Sequence, residues 1–251
     1  MSMLADSAVW DTARALARPA LFNIYFALAS IPLGFPFALA LALGRDSRIK
    51  PLAWLCGAYV YAFRGSPLFI QFFMVYSVML AFNLEYWKPL GIDHVVLHPL
   101  FLGPLVLVLN TAAYGAEIFS GALKAVPSGQ LEAARAIGMS RSQVFRSVTW
   151  PNALRIAWPA YTNEVVFLFH ATALVYFTLP VINNQKDLMN MAGELFERDY
   201  NVFLHYSVAA GYFLIISALI FWLASLFYKR LTQHLEPHVK TGMRLRPNYL
   251  R

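Results

Sequence analysis

Charge is scarce in this chain. Only 13% of its 251 residues are Asp, Glu, Lys or Arg, about half the share usual for a soluble domain. Cysteine is nearly absent: the single Cys56 excludes an intrachain disulfide and has no companions for a thiolate metal cluster. No Gly-x-x-x-x-Gly-Lys-Ser/Thr phosphate loop occurs, so ATP hydrolysis by that motif is excluded. No His/Asp cluster has convincing metal or catalytic spacing, which leaves a membrane-embedded enzyme unsupported. A cleavable signal peptide is not expected, because the first apolar run is too long for an h-region and has no clear small-residue cleavage site.

Apolar residues fill the space left by charge. They make up 59% of the chain, and the mean hydropathy is +0.53. Apolar runs of about 20 residues are long enough to cross a hydrocarbon core about 30 Å thick. Such runs lie near 20–44, 52–83, 99–123, 156–180 and 203–228. None alternates apolar with polar as a barrel strand would, so they read as helices. The expectation is an all-α integral membrane protein, one transmembrane domain over 1–251 with about five spans. The second span is long enough to hold a kink or a re-entrant piece.

The net charge of +7 is explained by sidedness. Arg45, Arg48 and Lys50 lie in one loop, and Lys124, Arg135, Arg141, Arg146 and Arg155 in another. Lys229, Arg230, Lys240, Arg244, Arg246 and Arg251 lie in the tail. The opposite side has Arg14, Arg18, Lys88, Lys186 and Arg198, and Arg64 falls inside the second span. Cytoplasmic loops carry the Lys/Arg excess, so the amino end is placed outside and the carboxyl end inside. Anionic lipid then accounts for the basic charge, and nucleic acid is not an expected partner.

The 124–155 loop contains LEAARAIGMSRSQVFRSVTWPNALR (131–155). Residues 128–137 are helix formers with Ser128 available as N-cap. Gly138 interrupts, and Ser140 with Gln143 offers a capping box for a second short helix that is expected to stop at Pro151. Helix, glycine turn, helix is the expected form. Small Ala133, Ala134 and Ala136 leave room for close approach by another protein, while Val144 and Phe145 suit anchoring on the membrane domain. An amphipathic helix on anionic lipid is the alternative, but the apolar face of the first helix is thin.

This segment resembles the cytoplasmic coupling loop of bacterial ABC-importer permeases. Glu132, Ala133, Ala134 and Gly138 match the Glu-Ala-Ala and glycine pattern, and Val148, Trp150 and Pro151 its ending, with Trp150 where leucine is more usual. FRGSPLFIQ (63–71) and LNTAAYGAEIFSGALKAVPSGQLEAA (109–134) are similar to signatures of the polar amino-acid uptake group. Arg64, Gly65 and Pro67 belong to the first of these and are read as a structural motif. HATAL (170–174) departs from that group's common form and looks closer to M-type permease subunits of histidine/lysine/arginine/ornithine and opine importers.

The resemblance implies a multi-pass permease of the bacterial inner membrane that is not itself an enzyme and binds no cofactor. An ATPase dimer, carrying ATP and Mg, would grip the coupling helices at Glu132, Ala133, Ala134 and Gly138. A homologous second permease, giving a heterodimer, and a periplasmic solute-binding protein would complete the complex. The implied solute is a polar, basic amino acid or an opine. An uncharged or acidic amino acid is the alternative, and a stand-alone carrier or channel is a second one.

Polar groups at bilayer depth are functional candidates by default. Asn110, Tyr114 and Glu117 share one face of the third span. On the fourth, Asn163 and His170 share a face, with Glu164 and Thr172 nearby. Asn110, Glu117, Asn163, Glu164, His170 and Thr172 are therefore substrate-path candidates. The competing reading is structural: Arg64 pairing with a glutamate, His170 and Thr172 bonding between helices, and Tyr114 packing. The prolines Pro32, Pro36, Pro67, Pro104 and Pro159 suit either bent helices or a gate. The 181–202 loop, net −2, is expected either to seat the binding protein or to be ordinary solvated loop. The basic tail reads as lipid-facing or regulatory.

Overall fold

The computed structural model describes residues 2–182 and 185–233, so most of the basic tail lies outside the described residues. Helix α1 (Ser2–Arg45) runs unbroken through Pro19, Pro32 and Pro36. At about 1.5 Å per residue it outreaches a hydrocarbon core, starting well before the expected span. Helix α2 (Lys50–Gly65) carries Pro51 in its first turn, where a missing N–H leaves nothing unpaired. It ends at Ser66, which is extended at φ −113°, ψ 143° because the residue before a proline is pushed out of the helical region. Helix α3 (Leu68–Ala81) starts after Pro67 and leaves α2 at 113°. The second apolar run is thus a broken helix.

A π turn (Asn83–Trp87) and short α4 (Asp93–Val96) lead into α5 (Pro99–Lys124). Then come α6 (Ser128–Ala136), α7 (Arg141–Val144), a π turn (Phe145–Thr149) and α8 (Trp150–Ala171). A 3-10 turn (Thr172–Leu174), α9 (Val175–Thr178), α10 (Leu188–Asp199) and α11 (Val202–Thr232) complete the fold. All regular structure among the described residues is helical. Most of the expected 181–202 loop is therefore helix α10, capped by Asp187, whose carboxylate accepts from the Asn190 amide at 2.8 Å.

Ser7–Arg45, α5 and α11 are each long and apolar enough to cross a bilayer, and α2 with α3 makes a fourth span if the bent pair is one. The polar residues of α8, among them Asn152, Arg155, Asn163 and Glu164, keep it below that standard. Helix α11 lies on the outside: Leu214, Ile215, Leu219, Trp222 and Leu223 are all exposed. In water such a face would be an aggregation hazard; in lipid it is the solvated surface.

Helices α1 and α5 form the most extensive contact in the fold, and glycine permits it. A Cβ on Gly34 would lie 2.7 Å from Thr111 Cγ2, one on Gly103 2.9 Å from Phe26, and one on Gly115 2.8 Å from Ala38 Cβ. Around this seam Ala38, Ala42, Phe119, Ala153, Ala157 and Tyr161 form a buried cluster, with Phe35 edge-on to Phe119 at 5.0 Å. Farther along, Phe26, Phe72, Leu102, Val106 and Leu107 form a second cluster. The amino-terminal part of α1 packs through Leu16 and Ala20 on Leu188, Ala192 and Ala209 of α10 and α11.

These distances lead to a direct test. Gly115→Ala sets a methyl against a methyl that has no rotamer to escape into, so α1 and α5 must separate, at about 1–3 kcal/mol. Gly121→Ala on the same helix meets nothing within 4 Å and gains up to about 1 kcal/mol of helix propensity. Thermal melting in detergent is expected to move in opposite directions for the two variants.

Candidate functional site

Between α2, α3, α5 and α8 lies a pocket of about 470 Å³ lined by Ser66, Pro67, Asn110, Thr111, Tyr114, Glu164 and Phe167, among others. Asn110 and Glu164 meet here from different helices. Glu164 Oε1 accepts from the Thr111 hydroxyl at 2.8 Å, and Asn110 Nδ2 donates to Gln71 Oε1 at 2.9 Å. Thr111 is held on its other side by the Gly34 contact, so helix packing aims its hydroxyl. Thr111, Ser66 and Gln71 escape a search for residues that are costly in lipid, because hydroxyls and amides there are common; the signal was that Gln71 closes the FRGSPLFIQ stretch.

The other candidates stand elsewhere. Glu117 accepts from Arg45 Nη1 at 2.6 Å and pairs with Arg64 Nη1 at 3.1 Å, joining the ends of α1 and α2 to α5. Arg64 also lies over the Tyr114 ring, 5.5 Å from its centroid. Arg45 counted in the sequence only as a loop charge, yet it reaches back to a glutamate on α5. Asn163 is exposed, with no hydrogen-bond partner in the chain among the described residues. His170 Nε2 lies 2.9 Å from Ser217 Oγ, in a separate groove of about 750 Å³ between α8 and α11. Thr172 is fully buried; its hydroxyl donates to Phe169 O at 2.7 Å and accepts from Asn23 Nδ2 at 2.9 Å. Asn23 Oδ1 in turn accepts from the Leu188 amide at 2.9 Å, so this trio ties α1 to the approach to α10.

At the other end of α5 the 124–155 segment folds as helix, glycine turn, helix. Gly138 has φ +85°. Its amide donates to Arg135 O at 3.0 Å and the Met139 amide to Ala134 O at 3.2 Å, the paired bonds of a Schellman stop. The capping box is complete: the Gln143 amide donates to Ser140 Oγ at 3.4 Å and the Ser140 amide to Gln143 Oε1 at 2.8 Å. Two expectations are corrected. Ser128 begins α6 but does not cap it, since Pro127 holds that position without a side-chain bond. Nor does the second helix stop at Pro151: the π turn carries the Trp150 amide to Phe145 O, and Pro151 falls in the first turn of α8. Ala134 is buried, whereas Glu132, Ala133 and Gly138 are exposed and Ile137 is 79% exposed.

Asn152 fastens this unit to the bundle. Its Nδ2 donates to Gln130 Oε1 at 2.9 Å and to Val148 O at 2.8 Å. Its Oδ1 accepts from Arg155 at 3.1 Å, and Arg155 Nε donates to Leu231 O at the end of α11 at 3.0 Å.

A protein-family model described as "Binding-protein-dependent transport system inner membrane component" matches residues 30–241. This chain belongs to that family. It is 38% identical, over 86% of its length and 88% of the relative's, to the histidine/lysine/arginine/ornithine transport system permease protein HisM of Escherichia coli K12. It is 33% identical, over 84% of both chains, to the octopine transport system permease protein OccM of Rhizobium radiobacter. Among solved structures it resembles an amino acid ABC transporter crystallised with histidines, with a TM-score of 0.69 and 25% identity over 91% of this chain and 97% of that one. The MetNI methionine ABC transporter in an inward-facing form shares the fold, at 21% identity and a TM-score of 0.60 over 92% of this chain and 98% of that one.

In this transport component the end of the bundle opposite α6 is held by ion pairs. Glu194 takes Lys186 and, at 2.6 Å, Arg198. Hydrogen bonds from Lys186 first, then Arg198, hold its carboxyl below the usual carboxylate range. Asp199 is likewise lowered, by the Asn201 amide and then His205. Much of the acidic charge of 181–202 is thus paired internally, while Glu197 stands exposed. A carboxyl lowered in the folded state stabilises it above the unfolded pKa, and that contribution is lost as pH falls through the folded one. Protection of the amides in α10 and at its junction with α11, taken as exchange relative to the intrinsic rate at each pH, should therefore fall below about pH 4, whereas protection of the carboxylate-free Leu102–Leu107 stretch of α5 is unchanged.

The turn at Gly138 has its own test. A Cβ there meets nothing within 4 Å, so Gly138→Ala carries only the backbone penalty of positive φ, about 1 kcal/mol. The melting temperature should fall by about 2–4 °C, whereas Gly129→Ala, inside α6 with open space around it, should raise it slightly.

Proposed function

We propose that this permease subunit passes polar, basic amino acids or opines through the bacterial inner membrane, with the Asn110–Glu164 pocket as its solute site. The observation that carries the reading is a carboxylate and an amide sharing one pocket in a chain 38% identical to a histidine/lysine/arginine/ornithine permease. A half-buried carboxylate favours a solute with an ammonium or guanidinium group. Glu117, already engaged by two arginines, is read as holding α1, α2 and α5 together.

The proposed topology has five spans, with α2–α3 as one and α8 as another, the amino end outside and the carboxyl end inside. The Lys/Arg excess on the α6 side supports it, and α8 turns Glu164 toward protein rather than lipid. A separate ATPase dimer, carrying ATP and Mg, would dock on Glu132, Ala133 and Gly138, with Ala134 packed beneath. A homologous second permease would cover exposed Asn163 and Phe167, and a periplasmic binding protein would deliver solute near α10. His170 and Thr172 are read as ties between helices.

The test is ATP-dependent uptake by the complete complex in proteoliposomes. Glu164→Gln should lower uptake efficiency for lysine about 10- to 100-fold and leave glutamine uptake nearly unchanged. Glu117→Gln should instead reduce assembly or thermal stability. Gly138→Pro cannot keep positive φ and should leave the ATPase turning over without transport. Normal lysine uptake by Glu164→Gln would remove the pocket from the path, and uptake without any ATPase would overturn the importer reading.

A further inference from the structure

One side chain joins the α2–α3 break to the pocket. Gln71 is 1% exposed. Its Nε2 donates one proton to Phe63 O at 2.7 Å and shares the other between Ser66 O at 3.0 Å and Ser66 Oγ at 2.9 Å. Backbone carbonyls can only accept, so chemistry sets this amide's orientation: nitrogen toward α2, oxygen toward α5. That polarity passes on. Facing an oxygen, Asn110 must present Nδ2, which leaves Asn110 Oδ1 as an acceptor with no partner in the chain among the described residues.

The neighbouring protons are already engaged. The Thr111 hydroxyl donates to Glu164, and the Ser66 hydroxyl donates to Ala62 O at 2.8 Å. Beside Tyr114, whose hydroxyl both donates and accepts, the polar wall of the pocket thus presents acceptors, Asn110 Oδ1 and the Glu164 carboxylate.

We propose that Gln71 is a specificity-determining positioning residue: through Asn110 it orders this wall of the pocket to receive the solute's hydrogen-bond donors, an ammonium or guanidinium group, in preference to an acidic side chain. The proposal rests on the solute-pocket reading above. Gln71 itself does not touch solute. Its polarity originates in two carbonyls left open to a side-chain donor where Ser66 and Pro67 break the helix, so the break has a role in recognition besides bending the chain.

The experiment is equilibrium binding of radiolabelled lysine, with glutamine as competitor, to the purified permease–ATPase complex without binding protein. Gln71→Met, which keeps length and volume, Asn110→Leu, and the double variant are compared, each checked for assembly. Gln71→Met and Asn110→Leu should each weaken lysine binding about tenfold relative to glutamine, and the double variant should be no worse than Asn110→Leu alone. Effects that multiply to about a hundredfold would show Gln71 acting by another route, and the proposal would fall. Glu164→Gln is the separate control: if it leaves lysine binding intact, the pocket reading itself is wrong.

Asn110→Asp tests the polarity with Gln71 untouched. An oxygen of Gln71 facing the new carboxyl demands that it stay protonated. The variant's melting temperature, relative to Asn110→Asp in a Gln71→Met background that shares the same burial and the same Glu164 and Arg64 charges, should then rise as pH falls from about 8 to 5. The opposite trend would mean that Gln71 turns its nitrogen toward α5, which overturns the proposal.

Discussion

Close approach of α1 and α5 is the constraint on which the rest of the structure depends. Lipid gives apolar helices no hydrophobic reason to associate, so contact must come from packing, and packing is best where side chains are small. Gly34, Gly103 and Gly115 supply that closeness against Thr111, Phe26 and Ala38. The seam and the site are not separable. Thr111 lies where a Cβ on Gly34 would clash and donates to Glu164 on its other side, so helix spacing bears on the geometry of the pocket.

The break between α2 and α3 obeys a related rule. Backbone groups freed at membrane depth must find partners within the protein. Gln71 meets that need for Phe63 and Ser66 and spends its remaining acceptor on Asn110. At the other end of the bundle, Asn152 and Arg155 bind the exposed glycine turn to α8 and the end of α11. A force on the turn therefore meets a bonded frame rather than a loose loop.

Local features were the most legible in the sequence. The Ser140–Gln143 capping box and the positive φ of Gly138 involve residues within a few positions of one another, so their pattern is nearly their structure. The break in the second apolar run followed from its length and from Pro67. Helix α10 was hidden because short polar residues and a glycine interrupt its pattern, and the Asp187 cap shows only once Asn190 folds back on it. Continuation through Pro151 was hidden because a π turn, invisible to a period of 3.6, carries the chain into α8.

The sequence by itself determined that the chain is helical and lipid-facing, where glycine must turn it, and which polar residues share a face of their own helix. Tertiary structure alone decided which faces meet. It brought Asn110 and Glu164 to one pocket, set Glu117 between Arg45 and Arg64, sent His170 to Ser217 and buried Thr172 against Asn23. The reason is physical: helical periodicity is written in neighbouring residues, whereas helix–helix contact depends on small residues and hydrogen bonds far apart in the chain, such as Gly34 with Thr111 and Gln71 with Asn110.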